Sequence, residues 1–249
     1  MVARTGILLL IGTLTFCTGI IINLPASIFS GHVDRVAQNL KGLQIGKISG
    51  TIWKGSLETQ YKEFPVTSVS WNTALFPLIL GRLNLELSLD ASGLKGKSDL
   101  SLSGDAVKLS NLDLEINSSF SNTKTRPYGL ELSESFTLTA PEIYVSNNWL
   151  SKIDGRLSWP GGVIEIETPL KRLRTQLPLL RGFAKIENKE VKLYIYSKSE
   201  EIMILSLNRL GWGKAEVNHL FFEIAKIPFP ASGSESQRDP AITMEEKIL

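Results

Sequence analysis

The chain has 249 residues, with 27 Lys and Arg against 25 Asp and Glu. That near-balance provides no broad positive field, which argues against nucleic acid as a partner. Cys17 is the only cysteine, so the rest of the chain has no disulfide and no thiolate metal site, and His32 and His219 are too isolated to make a metal centre.

The first predicted element is a membrane span over residues 6–24. It carries no charge and is rich in Leu and Ile, although Thr13, Thr15, Thr18, Gly12 and Gly19 dilute it. Roughly 20 apolar residues in a helix cover the ~30 Å hydrocarbon core, so one crossing fits. Arg4 and the free amino terminus precede it, which favours residues 1–5 in the cytoplasm and everything after Pro25 on the far side. A cleaved signal peptide has the same layout. The run is long for one, however, and Leu24-Pro25-Ala26 is a poor cleavage site, so the segment reads as an uncleaved anchor. Phe16 before Cys17 excludes a lipoprotein signal, and Cys17 reads as a small apolar filler. No later stretch reaches spanning length, which predicts a bitopic protein.

Residues 25–42 are predicted as a membrane-proximal helix or linker, with Ile28, Phe29, Val33, Val36 and Leu40 mostly on one face. Its stripe would pack on the following domain or lie in the lipid interface. From Leu43 the period changes to two. Leu83, Leu85, Leu87 and Leu89 alternate with Asn84, Glu86, Ser88 and Asp90, which puts all four leucines on one sheet face. Similar runs occur at Leu100 with Leu102, at Leu112, Leu114 and Ile116, and at Leu130 with Leu132. They recur at Phe136 with Leu138, at Ile164 with Ile166, and at Val191, Leu193 and Ile195. Polar turn signals fall between them, at Ser92-Gly93, Ser103-Gly104-Asp105, Ser121-Asn122, Gly161-Gly162 and Glu187-Asn188-Lys189. Together they predict a mainly β fold over residues 43–230, a long curved antiparallel sheet, open or half-barrel-like, with few short helices.

Three segments break this pattern. Thr73 to Leu80 contains Pro77 and reads as a turn or short helix on the sheet. Tyr144 to Lys152 is ambiguous, and Thr168 to Arg181, with Pro169 and Pro178, reads as a loop or broken helix. Residues 231–249 read as a disordered tail.

No nucleophile, histidine and glycine-loop constellation accompanies the acids Asp99, Asp105, Asp113 and Glu115, which read as the wet face of strands. The chain is therefore read as a non-enzyme without a cofactor. A large sheet with one apolar face and few helices must cover that face by curling, by a partner or by lipid, so the face is where function is expected.

The order of features also points to a family. Leu24-Pro25-Ala26 is followed by Ser49-Gly50-Thr51-Ile52-Trp53-Lys54-Gly55, then Val69-Ser70-Trp71, then Leu75 to Leu83 with Pro77 and Gly81. A later Gly155-Arg156-Leu157-Ser158-Trp159 fits the same Gly-x-Leu-x-Trp element. This resembles type II secretion system protein N, also called general secretion pathway protein N. The resemblance covers roughly residues 1–230 and is most specific over Pro25 to Leu83. It implies a single-pass bacterial inner-membrane protein with a periplasmic β domain. The partners it implies are the inner-membrane platform and the secretin. Such domains are also similar to AsmA-like proteins, which carry lipid along an apolar groove, so lipid transfer stands as the alternative and phospholipid as a further partner.

The motif residues Pro25, Gly50, Trp53, Gly55, Trp71, Pro77, Gly81, Gly155 and Trp159 are candidates for structure or interaction. Trp53, Trp71 and Trp159 could form an aromatic platform, but side chains of that size more often fill a core. Leu83, Leu85, Leu87 and Leu89 are groove or face candidates. Lys171, Arg172, Arg174, Arg181 and Lys185 form a basic stretch that reads either as a membrane or partner contact or as a solvated loop.

Overall fold

A computed structural model describes residues 12–13, 15–16, 18–31, 34, 42–62, 64–73, 83–103, 106–146, 149–167, 172–228 and 240–248. The chain packs as two compact units, residues 1–92 and 93–249. The fold is mainly β and antiparallel, and the strand order in neither unit returns on itself, so neither closes into a barrel.

The first unit holds β1 (Leu43–Gly50), β2 (Lys54–Tyr61), β3 (Thr67–Thr73) and β4 (Leu83–Ala91), paired in that order. Register puts Trp71 opposite Leu87 and Val69 opposite Leu89, so β4's leucines share a face with the aromatic residue of β3. Ahead of β1, residues 18–22 are helical and Ala26–Phe29 form a 3-10 turn. Much of the predicted span lies outside the described residues, and among those described no helix is long and apolar enough to cross a membrane. Residues 74–82, with Pro77 and Gly81, also lie outside them.

The second unit is built on β5 (Leu94–Ser103), β6 (Ala106–Ile116), β8 (Phe136–Ser146), β9 (Trp149–Trp159), β12 (Leu180–Glu187), β13 (Glu190–Ser197), β14 (Glu200–Leu207), β15 (Trp212–Asn218) and β16 (Pro240–Lys247), hydrogen-bonded in that order. A smaller sheet, in the order β11-β10-β7, comprises β7 (Leu130–Leu132), β10 (Gly162–Glu167) and β11 (Arg172–Leu177). Its other described elements are two short α-helices, α1 (Ser118–Thr125) and α2 (His219–Ala225), and a 3-10 turn at Arg126–Tyr128.

The meander follows the alternation read from sequence, three segments depart from expectation, and one ambiguous segment is resolved. Residues 172–177 and 180–181, predicted within a loop or broken helix, form β11 and the start of β12. Arg172, Leu173, Arg174, Thr175, Gln176 and Leu177 pair along β10, and Pro178 falls between the two strands, where its missing N–H costs no ladder bond. The ambiguous Tyr144 to Lys152 is where β8 gives way to β9. Residues 240–247, predicted as disordered tail, form the edge strand β16, because β15 offers a free edge along which seven positions register. At Ser121-Asn122 the chain is helical, not turned. Asn117 caps α1 by accepting the Phe120 N–H at 2.9 Å. Asn122 pins β7, donating to the Leu132 carbonyl at 2.9 Å and accepting its N–H at 2.8 Å.

Candidate functional site

In the first unit, motif residues distant in sequence converge at one junction. Gly50 takes φ +86°, and β1 turns there into β2. The turn holds the segment before it. Ile52 donates its N–H to the Leu24 carbonyl at 3.0 Å, Pro25 bridges Thr51, and the Trp53 Nε1 donates to the Ile21 carbonyl at 2.9 Å. Trp71 lies across Gly55, where an added Cβ would sit 2.4 Å from its Cζ2, and its Nε1 donates to the Ile52 carbonyl at 3.2 Å. Pro25, Gly50, Trp53, Gly55 and Trp71 thus work as a clamp that fixes the segment at Ile21 to Pro25 to the sheet. Trp53 and Trp71 are half-buried and hydrogen-bonded within it. Leu83, Leu85, Leu87 and Leu89 are half-buried beside it, neither fully covered nor free.

In the second unit, register aligns an apolar row across nine strands: Gly96, Leu114, Leu138, Leu157, Gly182, Ile195, Met203, Val217 and Ile242 are successive partners. A second row runs through Gly155, Ala184, Leu193, Leu205, Ala215 and Met244. One end of this face is covered. Trp159, 1% exposed, clusters with Ile164, Leu177 and Ala225, and the small sheet and α2 add Leu132, Ile166, Phe221 and Ile224 around it. Trp159 stacks on Phe136 with ring centroids 6.1 Å apart, and its Nε1 donates to the Glu134 carbonyl at 3.2 Å. It is core, not platform. Gly155 lies beside Ala184, whose Cβ would be 2.9 Å from a Cβ added there. Away from this end, Leu114, Leu138, Leu157, Leu193 and Leu205 remain half-buried. Covering a half-buried leucine fully would contribute about 1 kcal/mol, so a partner spanning several of them gains appreciable affinity.

The opposite face is polar and carries several ion pairs. Glu142 accepts from Lys108 at 2.7 Å and Lys152 at 2.9 Å, and these two bonds hold its carboxyl at about 2. Lys185 and Tyr194 both bond Glu187, whose carboxyl is lowered in turn. Burial first, and then that bond, raises the Tyr194 phenol.

The predicted basic stretch does not act as one patch. Arg172 and Arg174 lie on the small sheet, facing Glu165 and Glu167 at 3.6 to 3.9 Å. Arg181 and Lys185 lie on β12 in the larger sheet, and Lys171 lies outside the described residues. Among the described residues no group of His, Cys, Asp and Glu could hold a metal ion.

A family model described as type II secretion system (T2SS), protein N matches residues 41–218, well over half the chain. The chain belongs to the type II secretion system protein N family. No curated protein and no solved structure matched it. Family membership implies a secretion-system component that works with other type II secretion subunits. The lipid-carrying alternative gains no support from these comparisons. Within this protein N chain the matched region runs through β1 to β15, so α2 and β16 lie beyond it. Sequence reasoning found the glycines and tryptophans of the clamp. It did not find the rows through Leu157, Leu193 and Leu205, which exist only once register is known.

Proposed function

We propose that the chain is a non-enzymatic inner-membrane component of a type II secretion system, whose β domain docks other subunits in the periplasm. Residues 6–24 anchor it with the N-terminus in the cytoplasm. The exposed Phe16, Ile20, Ile21 and Ile22 of the helical segment suit lipid contact. The clamp at Gly50 to Gly55 then holds the β domain close to the bilayer.

The observation that carries the docking reading is the continuous apolar face of residues 93–249, covered at the Trp159 end and half-buried elsewhere. A surface of this kind on a domain in water marks a contact site. Its partners are the inner-membrane platform or the secretin, and burial of Leu193 and Leu205 supplies the affinity. Replacing Leu193 or Leu205 by asparagine should leave the circular dichroism spectrum unchanged and reduce secretion of exported proteins about tenfold in a deletion strain complemented with the variant. This follows if each lost contact is worth roughly 1.4 kcal/mol. Full secretion by both variants at normal protein level would overturn the reading.

A further inference from the structure

Two arginines on the polar face of the second unit are set apart from every other described cation around them. The side chains of Arg156, on β9, and Arg181, on β12, make no hydrogen bond or ion pair among the described residues, and both residues are exposed. Their neighbours are committed. Lys108 and Lys152 hold Glu142, Lys185 holds Glu187, and Arg172 and Arg174 face Glu165. Register puts Arg181 opposite Ser158 and Phe183 opposite Arg156, so the two arginines are diagonal neighbours on adjacent strands and share a face. Like charges at neighbouring positions of one face repel, and neither guanidinium is paired with an acid among the described residues.

The same residues line a shallow groove of about 360 Å³. Thr137, Thr139 and Ser158 add three hydroxyl groups, Phe183, 47% exposed, forms an apolar wall, and no described carboxylate lines it. Hydroxyl and guanidinium donors without a competing acid make a receptor for oxyanions, and arginine favours planar carboxylates through paired hydrogen bonds.

We infer that this groove binds an acidic, extended peptide segment of a protein partner, with carboxylates two residues apart engaging Arg156 and Arg181. The spacing fits. Diagonal neighbours in a sheet lie about 7–8 Å apart, and side chains two positions apart on an extended chain are separated by about 6.6 Å. An anionic bilayer is a poorer match, because surfaces that bind one present about 4–8 clustered basic residues and only these two line the groove. The groove is on the face opposite the apolar rows, so the inference stands independently of docking there.

The test uses the full chain in neutral detergent and a fluorescent peptide of alternating glutamate and threonine, read by anisotropy. Saturable binding is expected. Arg156→Gln or Arg181→Gln should weaken it about tenfold or more, the loss of one charge-assisted hydrogen-bond pair. Arg174→Gln should leave it unchanged, and the same peptide with glutamine for glutamate should not bind. Both arginines are exposed, so the variants should fold, and Arg156→Lys and Arg181→Lys, which keep the charge, should fall between. No saturable binding of the glutamate peptide would overturn the inference, as would equal binding by both glutamine variants. Capture of phosphatidylglycerol vesicles through Arg156 and Arg181, with the peptide ignored, would also overturn it.

Discussion

Trp159→Ala should lower the stability of the 93–249 unit by about 3–5 kcal/mol, the range for removing a large buried aromatic from a core. The side chain is 1% exposed and sits where β9, the small sheet and α2 meet. Its loss removes the stack on Phe136 and leaves the Glu134 carbonyl without the indole donor, which adds to the cavity term. The small sheet and α2 have little other buried apolar surface, since Ile164, Leu177 and Ala225 all belong to the same cluster. Trp159→Phe keeps the stack and most of the volume, so it should cost clearly less. Urea unfolding followed by circular dichroism measures both. A loss under about 1 kcal/mol for the alanine variant would show that the cluster does not join these elements.

Gly50→Ala should destabilise the 43–73 sheet by roughly 3 kcal/mol, combining a left-handed backbone with overpacking. The residue has φ +86°, where a side chain is strained. A Cβ there would also sit 2.5 Å from the Lys54 carbonyl oxygen and 2.7 Å from the Gly55 Cα, both backbone atoms that cannot swing aside. Relieving the overlap opens the turn at residues 51–53, and with it the bonds from Ile52 to Leu24 and from Trp53 to Ile21. In hydrogen exchange, amides of β1 and β2 and the Ile52 amide should lose protection, with amides of β13 and β14 as the internal reference. Wild-type protection at Ile52 in the variant would contradict the clamp.

The strands were largely legible because one side of each faces water and the other faces apolar neighbours, which imprints a period of two on Leu83 to Leu89 and on Leu112 to Ile116. Glycine and tryptophan in the clamp were legible as a motif, although their convergence on Leu24 and Ile21 depends on a hairpin that sequence does not specify. Helix α1 left no periodic signal because Phe120 is its only apolar residue, and its start depends on one Asn117 cap. Strand β16 was hidden because it is an edge strand, held by main-chain bonds to β15, with only Ala241 and Ile242 partly buried. The separation of Arg156 and Arg181 from the paired arginines was also hidden. Arg172, Arg174 and Arg181 are close in sequence, yet the chain passes from one sheet to the other between Leu177 and Leu180.

The most direct test of the docking account is photo-crosslinking in living cells that run a type II secretion system. An apolar photo-reactive residue would replace Leu193, on the half-buried face, and in a second strain Lys192, whose side chain points the other way. The account predicts a crosslink from position 193 to another type II secretion subunit, identified by mass spectrometry, and a much weaker one from position 192. Equal labelling from both positions, or capture of phospholipid alone at position 193, would contradict it.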